Sequence, residues 1–398
     1  MSESPQEVYI VSSVRTPVGK APRGVFSRTR PDDLLAHVLR EALARCPGLD
    51  PIQVGDVIVG CAMPEAEQGL NVARIAGLLA GLPESVPGMT INRFCSSGVQ
   101  SIALAADRIR LGEADVMLAG GTESMSAVPM MGHKPRFNPA ILAGDEHLGI
   151  AYGMGITAEN VARRWRVSRE DQDAFALRSH QRAARAIAAG AFGDEIAPYT
   201  VHRHLPDGGG RVRVAEQPVD TDEGVRPDAS LEGLAGLRPV FAAGGSVTAG
   251  NSSQMSDGAG AAVLMSERMV RELGLQPLAR FVSFAVAGVA PEVMGIGPVA
   301  AIPLALERAG IERDQLDWIE LNEAFAAQAL AVIRELDLDP DKVNPQGGAI
   351  ALGHPLGATG AVRSATLLHG LRRTGGRYGM VTMCIGTGMG AAAVFERM

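Results

Sequence analysis

Residues 89–121 read MTINRFCSSGVQSIALAADRIRLGEADVMLAGG. An apolar strand, Met89 to Asn92, leads into the turn Cys95-Ser96-Ser97-Gly98. A helix follows from about Gly98 to Leu111, and a buried strand, Asp115 to Ala119, is closed by Gly120-Gly121. Short, uninterrupted apolar strands separated by helices predict a mostly parallel sheet covered on both faces. Upstream the grammar is the same. Val8 to Val14 reads as a buried strand and Asp32 to Ala44 as a helix entered through Pro31. Val54 to Val59 reads as a strand and Asn71 to Leu79 as a helix.

The pattern returns in the last third of the chain. Arg280 to Ala287 is a strand, Pro298 to Ala309 a helix, Trp318 to Leu321 a strand and Ala324 to about Leu336 a helix. Val343-Asn344-Pro345 ends a short strand, a glycine-rich turn surrounds His354, and a helix runs from about Gly360 to Arg372. Tyr378 to Cys384 is a strand closed by Gly386-Thr387-Gly388. In this internal repeat Cys95 matches His354, and Gly120-Gly121 matches the loop after Cys384.

Between the halves, Ser126 to about Ser253 loses the alternation. It holds a Pro/Met/Gly-rich stretch (Val128 to Gly149), an amphipathic helix (Ser168 to Gly190) and a polar hairpin around Asp207-Gly208-Gly209-Gly210. It reads as one large insertion after the last strand of the first repeat. Ligands of parallel sheets bind beyond the carboxyl ends of the strands, so an insertion there would build a pocket.

Composition narrows the class. The chain has 398 residues, 46% of them hydrophobic, enough for two or three domains with their own cores. A formal charge of −7 gives no electrostatic case for nucleic acid or an anionic membrane. The four cysteines, Cys46, Cys61, Cys95 and Cys384, contain no C-x-x-C pair, which argues against a disulfide scaffold and against zinc-finger spacing. The N-terminal residues resemble no signal or transit peptide, and Phe395-Glu396-Arg397-Met398 is not a peroxisomal address. No apolar run approaches the roughly 20 residues that span a bilayer. A cytoplasmic protein is expected.

Four positions carry reactive groups at strand ends. Cys95 stands at a helix N-terminus, where unpaired N–H groups and the helix dipole should lower its thiol pKa; a lone Cys is otherwise most often a small buried hydrophobe. His354, in Gly353-His354-Pro355-Leu356-Gly357, is bracketed by glycines and could take the thiol proton. It could equally be structural, and a phosphate loop is disfavoured because no Gly-Lys-Ser/Thr follows. Cys384 precedes Gly386-Thr387-Gly388, a turn able to aim backbone N–H groups at an oxyanion. Asn322, in Asn322-Glu323-Ala324-Phe325, is either a helix cap or a group that orients a water or carbonyl. A zinc site from Cys95, Cys384 and His354 lacks the usual close pair of ligands, and a papain-like pair would not sit on repeated strand–helix units.

Six segments in order resemble the thiolase family of 3-ketoacyl-CoA and acetyl-CoA acyltransferases: residues 92–98, 120–125, 248–253, 322–326, 353–357 and 384–390. The resemblance covers essentially the whole chain. It implies an α/β fold, a duplicated α/β/α/β/α sandwich with an inserted loop domain. The expected division is 1–125 plus 254–276 for the N-terminal half, 126–253 for the insertion and 277–398 for the C-terminal half. It implies a ping-pong thiolysis of 3-ketoacyl-CoA in fatty-acid β-oxidation. Cys95 would be the nucleophile, His354 its base and Cys384 the second acid/base. Asn322 with His354, and the N–H groups of Cys95 and Gly386, would form two oxyanion sites. Arg226 would pack on the adenine of CoA, and Ala249, Gly250 and Ser253 would run along the pantetheine. Phe241, Phe325 and Met154 would wall the pocket.

Coenzyme A and acyl-CoA are then co-substrates, with no metal and no tightly bound cofactor. A homodimer or homotetramer follows, and possible association with a hydratase/dehydrogenase subunit. Gly153 stands where the biosynthetic acetoacetyl-CoA enzymes carry a His, and Gly233 where they carry a Ser; Gly386-Thr387-Gly388 replaces their Gly-Gly-Gly. These departures favour a degradative enzyme with room for a longer acyl chain. The alternatives are a biosynthetic acetyl-CoA C-acetyltransferase and an inactive thiolase-like CoA or lipid carrier. A ketoacyl synthase is disfavoured by Cys384.

Overall fold

The computed structural model describes residues 6–206, 209 and 211–398. Twelve strands appear among them: β1 (Val8–Arg15), β2 (Gly19–Lys20), β3 (Val57–Gly60), β4 (Gly88–Ile91), β5 (Val116–Ser124), β6 (Tyr199–Pro206), β7 (Val212–Val219), β8 (Ser256–Ser266), β9 (Ala279–Gly288), β10 (Leu316–Leu321), β11 (Tyr378–Ile385) and β12 (Met389–Arg397). The first half orders its strands β4-β3-β5-β8-β1, and the second β10-β11-β12-β9. Val343 makes a parallel bridge to Ile319 on the outer side of β10. With Val343 standing for β4, the two halves have the same chain order and the same spatial order. The repeat is therefore a duplication of topology. β1 and β9 pair through Tyr9 with Arg280 and Ile10 with Ala279, which fuses the halves into one sheet.

That sheet is mixed, not mostly parallel. Only β3–β4, β3–β5 and β10–β11 run parallel among its strand pairs. Uninterrupted apolar runs report burial on both faces and carry no information on direction. The turn 386–388 joins β11 to β12 too tightly for anything but an antiparallel pair. Two strands are not legible in the sequence. β8 (SDGAGAAVLMS) and β12 (MGAAAVFER) are rich in Gly and Ala, which are depleted in strands.

Packing explains those small residues. The helix Leu356–Thr374 is buried along its length up to Leu371 and lies between the halves against the helix Ser97–Arg110. A Cβ on Gly260 of β8 would stand 3.1 Å from the Val362 nitrogen, and one on Gly390 of β12 would stand 2.0 Å from the carbonyl carbon of Gly297, at the start of the helix Gly297–Ala309. In β5, a Cβ on Gly121 would stand 2.3 Å from the Gly357 carbonyl. Gly120-Gly121 therefore lies inside β5 and does not close it, so it is not the counterpart of the 386–388 turn.

The expected strand at Val343-Asn344-Pro345 is reduced to its bridge, and the strand expected from Val54 begins at Val57 after a short 3-10 turn, Pro51–Gln53. Within residues 126–253, the helix Arg169–Ala188 is capped by Ser168, whose Oγ accepts from the Asp171 N–H at 3.1 Å. β6 and β7 form the expected hairpin; its turn residues Asp207, Gly208 and Gly210 lie outside the described residues. Fully buried Arg15 of β1 ties that stretch to the sheet, bonding Asp222 at 2.7 and 2.9 Å and Glu195 at 2.6 Å.

Candidate active site

Cys95 sits in the 3-10 turn Phe94–Ser96, between β4 and the helix that starts at Ser97. Phe94 holds φ +43°, a left-handed conformation that costs a non-glycine residue about 1–3 kcal/mol and re-aims the chain after β4. The Cys95 thiol is pushed up to about 11. Burial is the main cause and the Glu123 charge adds to it; the N–H groups of Gly386 and of Cys95 itself pull the other way. The expected acidified thiol is thus corrected: the helix end faces the sulfur, but loss of water outweighs it.

His354 is buried directly before the helix Leu356–Thr374. Its Nδ1 lies 2.6 Å from Thr359 Oγ1 and its Nε2 3.3 Å from Asn322 Nδ2. With the amide donating, Nε2 keeps its lone pair and Nδ1–H donates to Thr359. Burial, reinforced by Arg363, lowers the imidazole to about 3, so it rests neutral. Arg363 also donates to the Gly353 carbonyl at 3.3 Å, bracing the turn that presents His354.

Asn322 follows β10, and its N–H donates to the Thr382 carbonyl at 2.9 Å. It is not a helix cap, since the next helix, Ala326–Glu335, is entered at Phe325. Its Oδ1 is buried with no protein partner, which leaves an acceptor for a water or substrate group. Cys384 is fully buried in β11 opposite Gly390. Its thiol is raised by burial and then by nearby Cys95. It belongs to an apolar cluster with Phe325, against which Met154 packs.

Two cavities flank this constellation. One of about 340 Å³ is lined by Cys95, Gly386, Met154 and Gly153, with Met131 and Phe137 from the irregular stretch before them. A Cβ on Gly153 would meet nothing within 4 Å. The other, about 200 Å³, holds Arg226, Ala249, Gly250 and Gly233 beside His180. Burial lowers His180 to about 4, and its Nδ1 accepts from the Arg226 N–H at 3.2 Å. Ser253, Phe241 and Phe325 line neither cavity. Ser253 donates its N–H to the Ala324 carbonyl at 3.0 Å, and Phe241 stands edge-on to Phe325 with centroids 5.9 Å apart. Sequence reasoning assigned no role to Thr359 or to Glu123, although Glu123 lies in the 120–125 segment; the fold brings both to the site.

The description "Thiolase, N-terminal domain" matches residues 8–268, and "Thiolase, C-terminal domain" residues 275–397. The chain is 55% identical to the 3-ketoacyl-CoA thiolase of Bacillus subtilis (strain 168), across 98% of this chain and 99% of that protein. It is 49% identical to the peroxisomal 3-ketoacyl-CoA thiolase B of Mus musculus, across 100% of this chain and 92% of the relative. Among solved structures it resembles a Bacillus anthracis acetyl-CoA acetyltransferase, with TM-score 0.90, 42% identity and complete coverage of both chains. It also resembles the human mitochondrial 3-ketoacyl-CoA thiolase, with TM-score 0.88, 41% identity and 99% coverage of both.

Proposed function

The chain belongs to the thiolase family and is an acyltransferase; on that premise we propose that it cleaves 3-ketoacyl-CoA with CoA in fatty-acid β-oxidation. The supporting observation is the His354–Asn322 pair, a neutral base beside a free buried acceptor, in a site that also holds Cys95, Cys384 and the Gly386 N–H. Cys95 Sγ attacks the 3-keto carbon while His354 Nε2 takes its proton. The C2–C3 bond breaks, leaving an acyl thioester on Cys95 and the enolate of acetyl-CoA, which Cys384 protonates at C2. The Cys384 thiolate then takes the proton of incoming CoA. The CoA thiolate attacks the acyl carbon, and the departing Cys95 sulfur recovers its proton from His354.

The N–H groups of Cys95 and Gly386 stabilise the oxyanion at the acyl carbon, and Asn322, through a water, and His354 stabilise the enolate oxygen. Losing one such donor typically costs on the order of 10²–10³ in rate. No tightly bound cofactor takes part; CoA and acyl-CoA are the co-substrates. Arg226, Ala249 and Gly250 are the proposed CoA contacts in the second cavity, with Ser253, Phe241, Phe325 and Met154 between adenine and acyl ends. Open space at Gly153 supports acyl chains longer than acetoacetyl.

The proposed division is 1–125 plus 254–276, 126–253 and 277–398. β4 is an edge strand flanked by exposed Leu70, Leu78, Leu79 and Met89, which supports self-association of two copies along that edge. Pairing of such dimers, or docking of a hydratase/dehydrogenase subunit, would follow from it. Four unpaired cysteines support a reducing compartment, the cytoplasm; no helix among the described residues is long and apolar enough to cross a membrane.

Thiolysis assayed with acetoacetyl-CoA and a medium-chain 3-ketoacyl-CoA tests the reading. Activity on both, lost in Cys95→Ser and Cys384→Ala while Cys384→Ala still alkylates at Cys95, is the expected result. A strong acetoacetyl preference would favour the biosynthetic reading, and no turnover the carrier.

A further inference from the structure

Glu123, at the end of β5, is 1% exposed and holds together backbone from both halves. Its Oε2 accepts from the Ala62 N–H at 2.7 Å and from the Gly357 N–H at 2.8 Å. Its Oε1 accepts from the Met63 N–H at 3.2 Å and from the Gln68 amide. The amide end is not ambiguous, because Gln68 Oε1 is occupied by the Ser124 N–H at 2.9 Å. The Cys61 thiol also lies 3.9 Å from Oε1. The four N–H partners all donate, which favours the carboxylate and opposes the burial that pushes its pKa up.

One of those contacts fills a gap in the second half. The helix Leu356–Thr374 follows Pro355 and has no side-chain cap from its own N-cap residue. Glu123 supplies that cap from across the molecule, placing an anion at the positive end of the helix. The approach is so close that a Cβ on Gly357 would stand 2.6 Å from the Ala62 nitrogen.

From this oxygen two chains of contacts lead to the reacting groups. On one side the Ala62 carbonyl accepts from Asn92 Nδ2 at 3.0 Å, and Asn92 Oδ1 accepts from the Phe94 N–H at 2.8 Å. Phe94 carries the left-handed turn that aims Cys95. On the other side Gly357 leads to Thr359, whose hydroxyl lies 2.6 Å from His354 Nδ1. We propose that Glu123 is a positioning residue: its carboxylate sets the Cys95 turn in register with the helix end that holds His354. This inference rests on the reading that Cys95 and His354 do the chemistry. The two residues come from different halves, so neither half alone determines their separation.

The charge supplies a second, independent handle. Glu123 is one of the groups that disfavour the Cys95 thiolate; the other ionisable groups around that thiol are Cys384 on β11 and the neutral His354. Glu123→Gln removes that charge and sets an amide N–H against backbone donors. Turnover and thiol ionisation should then move in opposite directions; because admitting water to the buried sulfur would also lower the midpoint, the charge-keeping Glu123→Asp and the charge-neutral Asn92→Ala separate the charge from simple loosening.

The experiment measures thiolysis kinetics and the pH profile of iodoacetamide alkylation at Cys95. In Glu123→Gln, kcat should fall about 10²-fold with KM for CoA within about twofold, the scale of misplacing a reacting group by roughly 1 Å. The alkylation midpoint should shift to lower pH. Glu123→Asp, which keeps the charge, should return the midpoint toward the wild-type value while kcat stays reduced. Asn92→Ala cuts one arm without touching the charge, and should lower kcat with the midpoint unmoved; it decides the matter if Glu123→Gln does not fold. Unchanged kcat in Asn92→Ala and in any folded Glu123→Gln, or a Glu123→Gln midpoint that stays or rises, overturns the proposal. Cys95→Ser separates the premise: if that variant still turns over, the assignment of Cys95 fails, whatever Glu123 does.

Discussion

Thr359 Oγ1 lies 2.6 Å from His354 Nδ1, so the group that orients the imidazole stands on the first turns of the helix that the histidine precedes. The contact leaves Nε2 facing Asn322 and decides which nitrogen can take a proton.

Thr359→Val keeps the shape and removes the hydroxyl. The imidazole then loses its tautomer and orientation restraint, and kcat should fall roughly 10–100-fold, while the thermal midpoint drops slightly for the loss of about 1 kcal/mol of net hydrogen bonding. Steady-state thiolysis together with a melting curve checks this; Thr359→Ser should recover most of the rate.

Cys95 and His354 rest as neutral thiol and neutral imidazole, because burial pushes the first up to about 11 and the second down to about 3. The rate of iodoacetamide inactivation should therefore climb steadily between about pH 7 and 10. A plateau already at pH 7 would mean a thiolate–imidazolium pair instead. The same histidine affects stability. Unfolded, it binds a proton below about 6.5, and folded only below about 3, so stability should decline as pH falls through that window. Urea midpoints measured across it, for wild type and His354→Asn, should show the slope reduced in the variant.

Gly153 borders open space in the cavity that also exposes Cys95. Gly153→Leu should fill part of it, lowering kcat/KM for a medium-chain 3-ketoacyl-CoA by at least about tenfold relative to acetoacetyl-CoA, as expected when a few methylenes lose their place in an apolar pocket. Equal losses on both substrates would place the acyl chain elsewhere.

Asp222→Asn should destabilise the protein by roughly 1.5–3 kcal/mol, since a neutral amide replaces the bidentate carboxylate on the buried Arg15 guanidinium while Glu195 keeps that charge paired. Burial works against the Arg15 charge, and Asp222 and Glu195 outweigh it. Denaturant unfolding measures the loss. The effect should exceed that of breaking the exposed pair Arg271–Glu267, worth about 0–1 kcal/mol.

Much of this molecule was already legible in the chain. The strand–helix alternation of both halves, its loss between residues 126 and 253, and the turns after the strands are local patterns, set by apolar periodicity, turn residues and glycine. Six motifs in family order determined the chemistry to look for. Strand direction was not legible, because an apolar run looks the same whichever way it pairs. β8 and β12 were not legible either: Gly260 of β8 answers to Val362 of the helix Leu356–Thr374, and Gly390 of β12 to Gly297 at the start of the helix Gly297–Ala309, both far away in the chain. The ionisation of Cys95 went against the local expectation. A helix N-terminus is visible in sequence, but the exclusion of water is a property of everything packed around the sulfur. Glu123 marks the same division. It stands inside the 120–125 segment, but nothing there gives it a role, and only the meeting of the two halves places one carboxylate oxygen between Ala62 and Gly357.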